Sequence, residues 1–120
     1  MTPAGPEPAP GPAVEIRAWS GCPSHEAAHE QVVAALGGLG YGALAVGLRW
    51  VETDEEAERL RFVGSPTVVV GDRDVLPPPD GTPPSLTCRV YRRRDGRVSP
   101  LPDPEDLREA LRAALGPALG

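Results

Sequence analysis

The apolar and polar positions of the chain alternate in two periods, and the switches between them mark the elements. Val14 to Trp19 places β-branched and apolar residues at every second position, which predicts a short strand. Ser20 and Gly21 end it, and Cys22 follows. Pro23 suits the first turn of a helix, where a missing N–H costs nothing. That helix is expected to run to about Gly37, with Ala28, Val32, Ala35 and Leu36 on one face. Gly37-Gly38-Leu39-Gly40 then provides residues free to take positive φ. Leu44 to Val51 is apolar apart from Arg49, which predicts a second strand covered on both sides and parallel to the first. Strand, helix and parallel strand make a right-handed βαβ unit.

Thr53-Asp-Glu-Glu56 has the form of a capping box, and a short helix follows to about Phe62. Val63-Gly-Ser-Pro-Thr67 ends it, and Thr67 to Val70 is β-branched throughout, hence a third strand. Gly71 to Asp74 reads as a turn and Pro77 to Ser85 as a proline-rich loop. Thr87 to Arg92 is expected to be a fourth strand, antiparallel to the third, with a turn at Asp95-Gly96. Asp103 as N-cap, Pro104 at the first position and acids in the first turn open a last helix, whose stripe is Leu107, Ala110, Leu111, Ala114 and Leu115. No internal repeat is visible. The order is β-α-β-α-β-β-α over a domain at 14–116. Met1 to Ala13 alternates proline with small residues and is expected to be a disordered or polyproline-like arm, inert or used for docking.

Length, 120 residues, allows one domain with a modest core. With few aromatics that core must come from Val, Leu, Ile and Ala, and Trp19 and Trp50 are expected within it. A net charge of −5 argues against a nucleic-acid partner, which would call for a basic face. No apolar stretch approaches membrane-spanning length and no secretory signal is visible, so a cytoplasmic location is expected. Two cysteines are too few for a disulfide scaffold.

Cys22 is the strongest chemical candidate. A cysteine between a strand and a helix N-terminus meets a positive field and orphan N–H donors, and both favour thiolate over thiol. His25 and His29 follow at helical spacing, separated by roughly 40° around the helix. Three readings of Cys22, His25 and His29 stay open. His25 tunes the Cys22 thiolate or shuttles protons to a leaving thiol, with the Ser24 hydroxyl as a second aid. Alternatively the three residues ligate Zn, Cu(I) or Hg(II). In the third the histidines only fill a half-buried helix face. Arg89, Arg92, Arg93, Arg94 and Arg97 read chiefly as a solvated strand-and-turn surface.

The element order, with Cys22-Pro23 at the strand-to-helix junction and Ser65-Pro66-Thr67 opening the third strand, resembles the thioredoxin superfamily in its minimal, glutaredoxin-sized α/β form. More narrowly, Gly21-Cys22-Pro23, His25, Gly64-Ser65-Pro66-Thr67 and Cys88-Arg89 are similar to small thioredoxin-like proteins, some selenocysteine-containing and some labelled with alkylmercury lyase. The resemblance implies a cis Pro66 facing Cys22, with Ser24, Ser65, Pro66 and Thr67 forming a substrate groove. There, backbone beside the proline pairs with extended substrates. It implies a monothiol redox protein acting on protein or small-molecule disulfides, peroxides or electrophiles, without a cofactor, because His25 stands where thioredoxins carry their second, resolving thiol. An external reductant thiol then completes the cycle. A soft-metal binding protein and a non-catalytic interaction module are the alternatives. Cys88 could be the resolving thiol, but it is expected at the far end of the third strand, roughly 13 Å away, and reads chiefly as a buried structural cysteine.

Overall fold

The structure, a computed structural model, describes residues 14–116; the expected arm at 1–13 lies outside the described residues. The fold is mixed α/β. Four strands, β1 (Val14–Ala18), β2 (Val46–Trp50), β3 (Thr67–Val70) and β4 (Arg73–Asp74), form one sheet in the order β2-β1-β3-β4. β1 runs parallel to β2, with Ile16 opposite Leu48, and antiparallel to β3, with Ile16 opposite Val68. The helices are α1 (His25–Gly38), α2 (Asp54–Leu60) and α3 (Pro104–Leu115). A separate two-stranded ribbon, β5 (Tyr91–Arg92) and β6 (Val98–Ser99), turns at Asp95-Gly96.

The period-2 pattern of β1 and β3 sends Val14, Ile16, Val68 and Val70 to one face. Ala28, Val32 and Leu36 of α1 and Leu107 and Leu111 of α3 close over them, all fully or nearly fully buried. A smaller cluster of Val51, Ala57 and Phe62 lies under α2, with Trp19, Leu60 and Leu86 packed against it. Glycine at Gly38 and the turn beyond it end α1, and Asp103 caps α3 by accepting from Glu105 N at 2.9 Å. Thr53 Oγ1 accepts from Glu56 N at 3.1 Å. The Glu56 carboxylate reaches back one residue further than a capping box requires, to Glu52 N.

Three expectations need correction. β2 is an edge strand rather than a covered one: residues 47–50 are exposed, and Trp50 keeps 41% of its surface in solvent. Helix α1 begins at His25, so Cys22 and Pro23 belong to the turn before it. The third strand's antiparallel partner is β4, not residues 87–92. Gly71 and Asp72 both take positive φ (58° and 67°), which is the requirement of a two-residue hairpin turn, and Arg73 pairs at once with Val70. With that edge filled, 87–92 runs elsewhere.

Candidate functional site

The site lies where β1 ends and β3 begins. Cys22 N–H donates to Trp19 O at 3.0 Å, which folds the chain back after β1 and tucks the side chain inward. Gly21 is required for this turn, since a Cβ there would stand 2.3 Å from the Trp19 ring. Cys22 is only 1% exposed, and its Sγ donates to the carbonyl oxygen of Ser65 at 3.5 Å. The Ser65–Pro66 peptide is cis.

Residues 85–91 are stitched along this loop. Ser85 N–H donates to Phe62 O (2.9 Å), Ser65 N–H to Thr87 O (2.8 Å) and Arg89 N–H to Ser65 O (2.8 Å), so Cys88 pairs in parallel with Ser65. Leu86 anchors the same segment in the smaller apolar cluster. Arg89 is buried. Its guanidinium donates to Thr67 Oγ1 at 2.9 Å and to Leu76 O at 2.7 Å, pairs with Asp74 at 3.0 Å, and covers the Tyr91 ring at 4.6 Å. Tyr91 donates its hydroxyl proton to Pro66 O at 2.8 Å, and Thr67 Oγ1 donates to Gly64 O at 2.6 Å. Burial pushes the Asp74 carboxyl up against the opposing pull of Arg89, and burial likewise pushes the Tyr91 phenol up.

Cys88 therefore stands at the near end, not the far one, and it is exposed rather than structural. It pairs along the backbone of Ser65, the residue whose carbonyl also receives Cys22 Sγ–H, so both cysteines come to the same end of β3. Interaction with the nearby Cys22 thiol is the main reason the Cys88 thiol is pushed above its ordinary value, ahead of lost solvent. The expected 13 Å separation assumed that 87–92 ran antiparallel to β3; it runs parallel past Ser65 instead. The signal that could have found this is Gly71-Asp72, a two-residue hairpin turn that assigns the edge of β3 to residues 73–74.

The other predicted residues are distributed differently. Ser24 is the N-cap of α1, but its hydroxyl makes no capping bond. Ser65, Pro66 and Thr67 are buried, and the Ser65 Oγ has no hydrogen-bond partner. His25 turns its ring edge-on to Trp50 at 5.0 Å, and its Nδ1 is buried without a partner. His25 and His29 line a surface groove with Glu26, Glu30, Ile16 and Leu48, which Cys22 does not line. Among the described residues no three His, Cys, Asp or Glu side chains converge as metal ligands, so Cys22, His25 and His29 are not gathered as a ligand set. The expected solvated arginine surface loses Arg89 to the interior. Arg94 pairs with Asp106 (2.8 Å) and Glu109 (3.2 Å), and Arg97 with Asp95 (2.9 Å).

Among the described residues no helix is long and apolar enough to cross a membrane. Compared with known proteins, the chain matches no family model, no curated protein and no solved structure.

Proposed function

We propose that the chain is a thioredoxin-like thiol redox protein whose chemistry centres on the Cys22 sulfur. The observation that carries this reading is the 3.5 Å approach of Cys22 Sγ to Ser65 O, directly before the cis Pro66. The sheet order β2-β1-β3-β4 supports it, with one parallel and two antiparallel pairs and α1 between the parallel strands. The parallel pair joined by a helix is the βαβ half expected from the sequence. The setting of the sulfur supports it as well: Cys22 Sγ donates to the Ser65 carbonyl, and Cys88 pairs along the same Ser65 backbone. The reaction is oxidation of Cys22 by a disulfide or peroxide, with regeneration by an external thiol.

The test is chemical. The reduced full chain is incubated with oxidised glutathione or hydrogen peroxide, unfolded, alkylated, and its peptides weighed. Cys22 becomes refractory to alkylation, and dithiothreitol restores it. A Cys22 that stays fully alkylatable after either oxidant refutes the assignment.

A further inference from the structure

We propose that Cys22 and Cys88 are one dithiol couple, in which exposed Cys88 exchanges with the substrate and buried Cys22 resolves it. The proposal rests on the redox reading of Cys22 and changes its chemistry from one thiol to two.

Accessibility decides the order. A disulfide larger than a few atoms cannot reach a sulfur that is 1% exposed, whereas Cys88 is exposed to solvent. The pairing of the two residues is built by the fold rather than by chance proximity of loops. Ser65 receives Cys22 Sγ–H at its carbonyl and holds the backbone on both sides of Cys88 by bonds of 2.8 Å. Leu86, Arg89 and Tyr91 fix the flanks of Cys88 in the smaller apolar cluster, the Thr67–Asp74 network and the Pro66 carbonyl. The chain thus lays its own strand along Ser65, where the resemblance implies a peptide substrate, and that strand carries a cysteine to the Cys22 sulfur.

The step balances as follows. The Cys88 thiolate attacks one sulfur of a disulfide RSSR, the S–S bond breaks, and RS⁻ leaves and takes a proton. The Cys22 thiolate then attacks the Cys88 sulfur of the mixed disulfide. A Cys22–Cys88 bond forms and the second RS⁻ departs to become RSH. Two protein thiols lose two electrons and two protons, and one RSSR becomes two RSH. For the bond to close, the two sulfurs come to about 2.05 Å. In reverse, an external thiolate attacks the exposed Cys88 sulfur and Cys22 is the leaving group.

The experiment uses the full chain under native conditions with 5,5′-dithiobis(2-nitrobenzoate) as probe. The wild type is expected to release both thionitrobenzoates from one reagent molecule and to keep no adduct. Its unreduced tryptic map then shows peptide 18–49 linked to peptide 74–89. Cys22→Ser and Cys22→Ala each retain one adduct on Cys88. Cys88→Ser reacts more slowly than either, by about tenfold or more, since Cys22 meets the reagent only when the loop opens. Circular dichroism checks that each variant is folded, and the wild-type map needs no variant. A wild type that keeps an adduct on Cys22 with Cys88 free overturns the couple and leaves a monothiol site. So does a Cys88→Ser variant as fast as Cys22→Ser. If Cys22 joins no disulfide at all, with this probe or with glutathione, the redox reading itself falls and the couple with it.

Discussion

Gly64→Ala should loosen the strand that carries Cys88 and leave the main core intact. Gly64 has φ +150°, a region that L side chains rarely adopt, at a cost of about 1–3 kcal/mol. A Cβ there would also stand 2.8 Å from Arg89 Cα and 3.0 Å from Arg89 N, contacts with backbone rather than with a movable side-chain tip. Arg89 has little room to retreat. Its side chain is buried against Thr67, Asp74 and Leu76, and its N–H is bonded to Ser65 O. Relief therefore breaks the Arg89–Ser65 bond and strains the Ser65–Thr87 bond, each worth about 1 kcal/mol net. Together these terms give a loss of roughly 2–5 kcal/mol, a sizeable share of a small domain's stability. Gly71→Ala is the control: φ is +58°, but a Cβ there meets nothing within 4 Å, so only the conformational cost of about 1 kcal/mol applies. Urea titrations of the two variants, read by circular dichroism, measure the difference. In parallel, the rate of Cys22–Cys88 disulfide formation should fall for Gly64→Ala and hold for Gly71→Ala. A Gly64→Ala variant no less stable than Gly71→Ala would refute the close packing of Gly64 on Arg89.

Two further outcomes follow from side chains at the edges of the site. Burial raises the Asp74 carboxyl, so its protonated form is favoured by folding. Stability from that preference is present below the ordinary carboxyl range and lost as pH rises through the raised value. The stability of wild type relative to Asp74→Asn should therefore decline as pH rises above the ordinary carboxyl range, and a difference independent of pH would contradict the assignment. His25→Ala removes the edge-on contact with Trp50, costing about 0.5–1 kcal/mol and shifting tryptophan emission. Its thiols should react with 5,5′-dithiobis(2-nitrobenzoate) at the wild-type rate across pH, because no hydrogen bond joins His25 to Cys22 among the described residues; a changed pH profile would restore the imidazole to the chemistry.

What could be read in the chain was what local physics decides. The alternation in Val14 to Ala18, the β-branched run Thr67 to Val70, the Ala28-Val32-Leu36 stripe, and Asp103-Pro104 each specify an element from its own residues. What could not be read depended on competition between distant segments. Residues 87–92 have strand character, and so do Arg73 and Asp74 once Gly71-Asp72 turns. The nearer pair takes the edge of β3 because a two-residue loop closes at less entropic cost than a sixteen-residue one. The same event moved Cys88 from one end of the strand to the other and from interior to surface. Trp50 was misplaced for a related reason. Apolar composition predicts a covered strand, but β2 is the last strand of its sheet, with only β1 beside it, and residues 47–50 stay exposed although α1 packs over β1 and β2.

The filled edge at Ser65 also decides how a substrate can approach. An extended peptide that pairs with Ser65 must first displace residues 85–89, which lose three backbone hydrogen bonds worth about 1 kcal/mol each. The half-buried Leu86 side chain adds about 1 kcal/mol more. Together, and before the buried Arg89 contacts are counted, these put the displaced state at least roughly 4 kcal/mol above the docked one, populated no more than about once in a thousand. A substrate that exchanges with Cys88 from outside bears none of that cost and needs only a reactive sulfur. The couple therefore favours small or flexible disulfides over extended strands. Replacing Leu86 with Ala should narrow that preference by lowering the cost of opening, which competition between oxidised glutathione and a cystine-bridged peptide would measure. If the peptide is consumed as fast as glutathione by the wild type, the segment is not acting as a barrier.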